Sequence, residues 1–469
     1  MNAKIVLVGL GPHAKRIYMN CFNRNNVQPK LIIDLESKCD EILEYVKTNK
    51  LSTETFFIKD EYKNSDRFSE DDEKELNDLI EKLGITHAII STEPKAHYLY
   101  ICYFLRKNIH VLTDKPLTAP VNVSTDINMA KKIIEEYNDI KELYDDAKDK
   151  GTILQVQCQR RWHKGYRFIH NLASEIVKKY RVPITSIQMS HCDGMWNMPS
   201  EFITRENHPY KYGYGKLFHS GYHFIDLVSW FESINDVLGE KKANNAELYA
   251  AEVRPSDFMT IIDKDNYHRL LNTKKFDEIF DNIDDYHFEQ YGEIDLYSTI
   301  QFKRDDKVIT TVNLNLMQNG FSRRSWDDLP VDTYKGNGRV RHEYMNIEIG
   351  PLMNIQIHSY QAKEIKDRIE GETCVGEVEH FDVYVFRNVD LIGGQPMEKF
   401  TLQDIFQNQE QMLGYNENAR ENCFKEFINE KVTGNPLEEH KLGILLLYKA
   451  YESLCNRYEG GQKCINFSI

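Results

Sequence analysis

The stretch that most constrains this chain is its beginning. A continuous apolar run, Ile5-Val6-Leu7-Val8, passes into Gly9-Leu10-Gly11-Pro12-His13-Ala14, and Ala14, Ile17, Tyr18 and Cys21 then fall on one helical face. An unbroken apolar strand is what a sheet covered on both faces requires, and the i, i+3, i+4, i+7 spacing is that of an amphipathic helix. A second strand, Leu31-Ile32-Ile33, closes on Asp34. In such a strand–turn–helix unit Gly9 makes the tight turn, Gly11 lets a pyrophosphate approach the backbone, and Ala14 lets the helix lie close to the strand. The helix N-terminus then turns its positive dipole end to the phosphates. A carboxylate at Asp34 accepts hydrogen bonds from the adenosine ribose and repels a 2′-phosphate, which favours NAD(H). Ser37 and Lys38 lie near enough to leave NADP(H) possible. The plainer alternative is a glycine turn in a Rossmann-like domain that binds nothing.

The βα rhythm continues to about residue 120. Phe56 to Ile58, Ala88 to Ile90 and His110 to Leu112 read as further strands, with helix faces at Leu76, Leu79, Ile80 and Leu83 and over about 95–106. Alternating strands and helices imply a doubly wound parallel sheet. A long polar helix (about 127–148) then leads into a strand at Ile153 to Val156. From about 183 to 361 strand patterns dominate, including Leu296 to Phe302 and Val308 to Leu316 as a hairpin, and a second pair turning at Gly350-Pro351. The expected architecture is therefore α/β, an N-terminal Rossmann domain over 1–120 followed by a C-terminal α+β domain over 121–440 with a large, mostly antiparallel open sheet. Acidic, weakly patterned stretches at about 240–290 and 320–400 read as insertions. A C-terminal helix and tail, 441–469, are expected to pack back on the N-terminal part.

Composition narrows the partners. The formal charge of −14 argues against nucleic acid or an anionic membrane surface. No stretch approaches the roughly 20 apolar residues of a membrane span, and Ile5 to Val8 is too short for a signal sequence. Nine scattered cysteines without a C-x-x-C pair imply neither a disulfide framework nor a zinc site. These features together point to a cytoplasmic chain with buried thiols.

Two further constellations carry chemistry. Ser91-Thr92-Glu93-Pro94-Lys95-Ala96-His97 is a strand end and turn leading into a helix, and Thr113-Asp114-Lys115-Pro116 closes the strand after it. The chain here resembles the Gfo/Idh/MocA oxidoreductases, the relatives of glucose–fructose oxidoreductase and inositol dehydrogenase, which carry Glu-Lys-Pro where this sequence has Asp114-Lys115-Pro116. The resemblance continues through Gln157-Cys158-Gln159-Arg160-Arg161-Trp162 and through Gly215 to Leu227, which is similar to the family's catalytic helix. There the family has an Asp four residues before a His; His223 matches the His, but position 219 is also His. The i, i+4 spacing puts His219 and His223 on one helix face. A His pair can also mean metal binding or core packing, but no Cys or Glu stands at motif spacing and no metal is expected.

The resemblance implies a hydride transfer between nicotinamide and a hydroxyl or keto carbon of a small sugar-like substrate. Lys115 would hydrogen-bond the reacting oxygen, and His223 would act as general base with His219 beside it. Gly9 to Ala14, Asp34, Ser91, Thr92, Glu93, His97, Asp114 and Lys115 would surround the cofactor. Arg160, Arg161, Trp162 and Tyr222 would face the substrate, and Arg323 and Arg324 are further basic candidates. Other readings are an enzyme that uses bound NAD transiently for elimination or hydrolysis, a non-catalytic dinucleotide-binding regulator like the galactose-pathway repressors, and a scaffold. The open sheet implies a homo-oligomer.

Overall fold

The computed structural model describes residues 3–206, 208–318, 340–361, 379–406, 413, 416–431 and 433–469. The chain divides into two compact units: Met1–Pro120 with Lys132–His163 and Tyr415–Lys441, and Val121–Lys131 with Lys164–Gly414 and Leu442–Ile469.

The first unit contains six strands, β1 (Ile5–Val8), β2 (Leu31–Leu35), β3 (Glu54–Ile58), β4 (His87–Ile90), β5 (His110–Asp114) and β6 (Leu154–Gln157). They form one sheet in the order β3-β2-β1-β4-β5-β6, and every pairing is parallel. Residues 5–8 are wholly buried, as the apolar run requires. The order reverses between β1 and β4, so the glycine turn after β1 opens at the switch point. The boundary expected at residue 120 falls short, because the sheet takes its last strand from beyond the long helix Ile127–Lys148. A second late segment covers this sheet. Ala419, Cys423, Phe424 and Phe427 of the helix Glu417–Ile428 join Ile5, Leu7, Tyr18 and Phe22 in one core, and the Phe22 and Phe424 rings meet edge to face at 5.4 Å.

Among the described residues the second unit has nine strands: β7 (Ser186–Cys192), β8 (Asn245–Val253), β9 (Asp295–Arg304), β10 (Lys307–Met317), β11 (Arg341–Ile349), β12 (Met353–Gln361), β13 (Glu379–Arg387), β14 (Met397–Phe400) and β15 (Ile465–Ser468). Their order is β14-β13-β12-β11-β7-β10-β9-β8-β15. Only β7 with β10 is parallel; the other pairs are antiparallel. Strand β9 alternates open and buried positions from Asp295 to Lys303, so one face packs and the other stands open. The stretch at 240–290 contributes β8 and three short helices, Pro255–Ile261, Lys264–Leu271 and Asp277–Asp281. It has its own small core around Phe202, Tyr210, Met259 and Phe288.

The tail does not return to the N-terminal unit as expected. Strand β15 pairs with β8, satisfying backbone groups that an edge strand would leave bare. Ser453 Oγ of the helix Lys441–Glu459 accepts from Ala250 N at 3.0 Å. It is the helix before it, Glu417–Ile428, that covers the Rossmann sheet.

Candidate active site

The glycine turn is held by backbone bonds. Gly9 N donates to Ile33 O at 2.8 Å, and Gly9 adopts φ +84, where a Cβ would stand 2.7 Å from Ser91 O. Only glycine fits there. Gly11 is different: a Cβ built on it meets nothing within 4 Å, so its Cα faces open space of the kind a diphosphate fills. Pro12 starts the helix, where its missing N–H costs nothing. The helix runs Pro12–Arg16 and then Tyr18–Arg24, continuing across Ile17 through Ile17 N to His13 O and Cys21 N to Ile17 O, both 2.9 Å. Ala14 is fully buried at the strand contact.

Asp34 accepts from Leu10 N through Oδ2 and from Leu35 N through Oδ1, each at 2.8 Å. One bond locks the glycine turn to the end of β2. Each carboxylate oxygen keeps a second lone pair for a ribose hydroxyl. The donor set and the open face of Gly11 fit a dinucleotide.

Asp114 sits at the end of β5 and accepts from Tyr18 OH and from Ser91 Oγ, both at 2.6 Å; His13 Nε2 lies 3.6 Å from the same carboxylate. It thereby ties together the helix after the glycine turn, the end of β4 and the residue before Lys115. Burial first, and then the Asp114 charge, push the Tyr18 phenol well above its ordinary range. Asp114 and Ser91 are thus spent on one another, and Tyr18, read from sequence only as part of a helix face, is the residue missed. His97 is fully buried, with Nδ1 2.9 Å from Pro116 O and Nε2 3.3 Å from Thr92 O. It shapes the two turns from behind, and Glu93 precedes the short turn Pro94–Ala96. Lys115, half-buried, follows directly and joins Pro116 through a cis peptide.

Of the expected substrate contacts on this unit, two are structural. Arg161 is 2% exposed, pairs through Nη1 with the Glu439 carboxylate and donates from Nη2 to Glu439 O at 3.2 Å. Trp162 packs into the core formed with the helix Glu417–Ile428. Arg160 is equally buried, on the short turn Gln159–Trp162. Arg323 and Arg324 lie outside the described residues.

On the second unit, Leu217–Gly221 is a π turn that leads into the helix Tyr222–Glu232. Wide turns of this kind change the angular offset of residues four apart. His219 is directed into the loop before it: Nε2 lies 3.1 Å from Pro209 O, the ring stacks on His208 at 4.9 Å and 15°, and the Tyr210 and Tyr214 rings meet it edge-on. His223 and Tyr222 are buried at the start of the helix proper.

What holds this turn was not readable in the sequence. Lys216 is fully buried and donates from Nζ to Asp193 Oδ2 and to Met317 O, each at 2.7 Å, with His191 Nδ1 at 3.2 Å. Ser220 Oγ donates to the same Asp193 oxygen at 2.5 Å. Burial pushes the Lys216 ammonium down, and the Asp193 charge opposes it. Glu293 anchors the other side. Its Oε1 accepts from Leu217 N at 2.8 Å and Tyr451 OH at 3.0 Å, and its Oε2 from Ser124 Oγ at 3.0 Å. Burial raises its pKa.

A metal-like trio lies at the far edge of the Rossmann sheet, where His87 and His110 begin neighbouring strands in register. Each Nε2 is 3.8 Å from Glu430 Oε1. However, Ile153 N donates to His110 Nδ1 at 3.1 Å, so the neutral ring carries its proton on Nε2 and turns that proton toward the carboxylate. At most one imidazole lone pair remains, which is short of a metal cage. Among the described residues no helix is long and apolar enough to cross a membrane, and all the described cysteines are free.

Residues 3–158 match the Gfo/Idh/MocA model, described as an oxidoreductase family with an NAD-binding Rossmann fold. This segment is a Gfo/Idh/MocA NAD-binding domain. No curated protein matches the chain. Among solved structures, the fold is shared with an Agrobacterium radiobacter oxidoreductase in complex with NAD+, L-tartaric acid and magnesium. That pair is 10% identical over 100% of this chain and 98% of the other, with a TM-score of 0.56. The WlbA dehydrogenase of Bordetella pertussis, solved with NADH and UDP-GlcNAcA, is 12% identical over 100% and 98%, with a TM-score of 0.55. A scyllo-inositol dehydrogenase from Lactobacillus casei is 14% identical over 100% and 98%, with a TM-score of 0.50. At such identities the likeness is one of fold. The Gfo/Idh/MocA match covers the glycine turn, Asp34 and Asp114-Lys115-Pro116; the histidine helix lies beyond it.

Proposed function

We propose that the protein is a nicotinamide-dependent oxidoreductase that moves a hydride between NAD(H) and a hydroxyl- or keto-bearing carbon of a sugar, an inositol or a related small polar molecule. The observation that carries this reading is the glycine turn locked to Asp34, with Gly11 facing open space, inside a segment that matches an NAD-binding oxidoreductase family. Gly9, Leu10, Gly11, Pro12, His13, Ala14 and Asp34 would hold the dinucleotide, which when bound supplies the hydride chemistry. The roles of the next two groups are carried over from the family resemblance. Lys115 donates a hydrogen bond to the reacting oxygen and stabilises negative charge there. His223 takes the hydroxyl proton on a ring nitrogen, its ordinary pKa being close to neutral. Asp114, Ser91, Tyr18 and His97 are positioning residues that keep the Lys115 turn and the glycine turn in place. The choice of a sugar-like substrate is supported by what the neighbours' names and ligands are, UDP-GlcNAcA and scyllo-inositol dehydrogenase among them. Association of two or more copies through the second unit's sheet is supported by Tyr249, Tyr297 and Tyr360, all at least 40% exposed.

The test is a screen of sugars, inositols and sugar acids with NAD+, read by absorbance of the reduced cofactor, followed by Lys115→Ala on the best substrate. Turnover is expected to fall by about a hundred- to a thousandfold, as loss of one oxyanion-type donor does, with NAD+ affinity within a few fold. Unchanged turnover would remove Lys115 from the mechanism. A chain that binds NAD+ but reduces it with no substrate would favour the regulator.

A further inference from the structure

The cofactor reading leaves one cluster unexplained, at the end of β3. Strands β2 and β3 pair in parallel with Asp34 opposite Phe57 and Leu35 opposite Ile58, so Asp60, two residues beyond β3, stands at the same sheet edge as the loop after Asp34. Ser37 in that loop gives both of its donors to Asp60: the backbone N to Oδ2 at 3.0 Å and Oγ to Oδ1 at 2.6 Å. Lys63 Nζ also reaches Oδ1 at 2.6 Å. Lys63 and Ser37 hold the Asp60 carboxyl down to about 2, so it is ionised at any working pH.

The cations beside this loop are likewise committed to acids. Lys38 Nζ lies 3.3 Å from Glu41 Oε2, and Lys15 Nζ 2.7 Å from Glu41 Oε1. A Rossmann site that accepts a 2′-phosphate does so with hydroxyl, backbone N–H and cationic groups just after the second strand. Here the residues of those types are Ser37 and Lys38. Ser37 is already bonded to a carboxylate, and a phosphate placed there would meet the charges of both Asp34 and Asp60.

We propose that Asp60 is a specificity-determining residue that excludes 2′-phosphorylated dinucleotides, by occupying Ser37 and by adding a second negative charge beside Asp34. Asp34 would accept from the ribose hydroxyls, and Asp60 withdraws the group that would otherwise compensate a phosphate. The inference rests on the dinucleotide reading of the first unit, and the experiment separates the two.

Calorimetric titration of the full chain with NAD+ and with NADP+ is compared for wild type, Asp60→Asn and Asp60→Glu. Asparagine keeps the shape, carries no charge, and offers one acceptor oxygen where Asp60 offers Ser37 two, so it weakens both the charge and the hold on Ser37. Asp60→Asn is expected to tighten NADP+ by about tenfold while NAD+ stays within about twofold, and Asp60→Glu to bind both as wild type does; the gain should shrink in high salt, because exposed charges are screened. An NADP+ affinity unmoved by Asp60→Asn, or a parallel shift for both dinucleotides, overturns the proposal while leaving the NAD site standing. A wild-type chain that binds neither dinucleotide overturns both.

Discussion

The glycine turn of the first unit and the Lys216–His223 segment of the second, each taken within its own unit, are held by different means. The turn is fixed by backbone bonds between neighbouring strands, by one glycine at positive φ, and by the half-buried carboxylates Asp34 and Asp114, which accept from two or more donors each. The histidine segment is fixed by buried ionisable side chains: Lys216 on Asp193, and Glu293 accepting from Leu217 N, Ser124 and Tyr451. Local backbone bonds tolerate changes of side chain. Buried charges do not, because removing one partner leaves the other desolvated and unpaired.

The largest effect that sharpens this contrast is expected at Lys216. Lys216→Met removes from Asp193 its close ammonium partner and leaves Ser220 Oγ at 2.5 Å and the Arg341 guanidinium at 3.9 Å; loss of one partner from a buried pair costs about 3–5 kcal/mol, and Arg341 places this case at the lower end. Urea unfolding should show that loss. Adding Asp193→Asn to it should recover a large part, since the two changes act on one interaction. A loss below about 1 kcal/mol for Lys216→Met would erase the distinction between the two regions.

How much of each region could be read in advance follows from the same contrast. Gly9, Gly11, Ala14 and Asp34 lie within one βαβ step, so spacing alone brought them together. Arg161 and Trp162 looked like a substrate patch because their partners are far off. Glu439 is 278 positions from Arg161, and the Trp162 core is completed by the helix Glu417–Ile428. Lys216 precedes an apolar helix, which is unremarkable, and its acceptors come from residues 191–193 and from Met317. The sixth Rossmann strand reads as a strand in the sequence, but the 22-residue helix before it makes it look like the start of the next domain. Nothing in local composition marks which sheet a strand after such a helix will join.

A second, smaller effect separates the units by pH. In the helix that carries His223, Glu232 is buried with Asn235 Nδ2 3.2 Å from its Oε2, and burial pushes its carboxyl up to about 8 from 4.5. The folded state therefore keeps this proton while the unfolded chain releases it. Its contribution to stability is fully present below about 4.5 and is lost progressively as pH rises through 8, a change on the order of a few kcal/mol. Glu232→Gln cannot ionise. Its melting temperature relative to wild type should climb between pH 5 and pH 8.5, and parallel curves across that window would remove Glu232 as a source of pH sensitivity.

The smallest expected effect lies on the first unit and tests whether its clamp is as forgiving as the contrast implies. Tyr18→Phe deletes one of the two hydroxyls that Asp114 accepts from, and leaves Ser91 Oγ in place with the carboxylate still partly open to solvent. A hydrogen bond to a charged group contributes about 1.5–3 kcal/mol when its loss strands the partner. Here Asp114 keeps one strong donor and has access to water, so about 1 kcal/mol is expected. The ring itself remains to fill the core beside Phe22. If the Asp114 hub positions Lys115, the variant should also lower turnover more than it weakens NAD+, because Asp114 is the residue next to the lysine, whereas the glycine turn is held chiefly by Gly9 N on Ile33 O and Leu10 N on Asp34. Equal losses in turnover and NAD+ affinity would instead show that Tyr18 supports the glycine helix as a whole, and the first unit would then be held as cooperatively as the second.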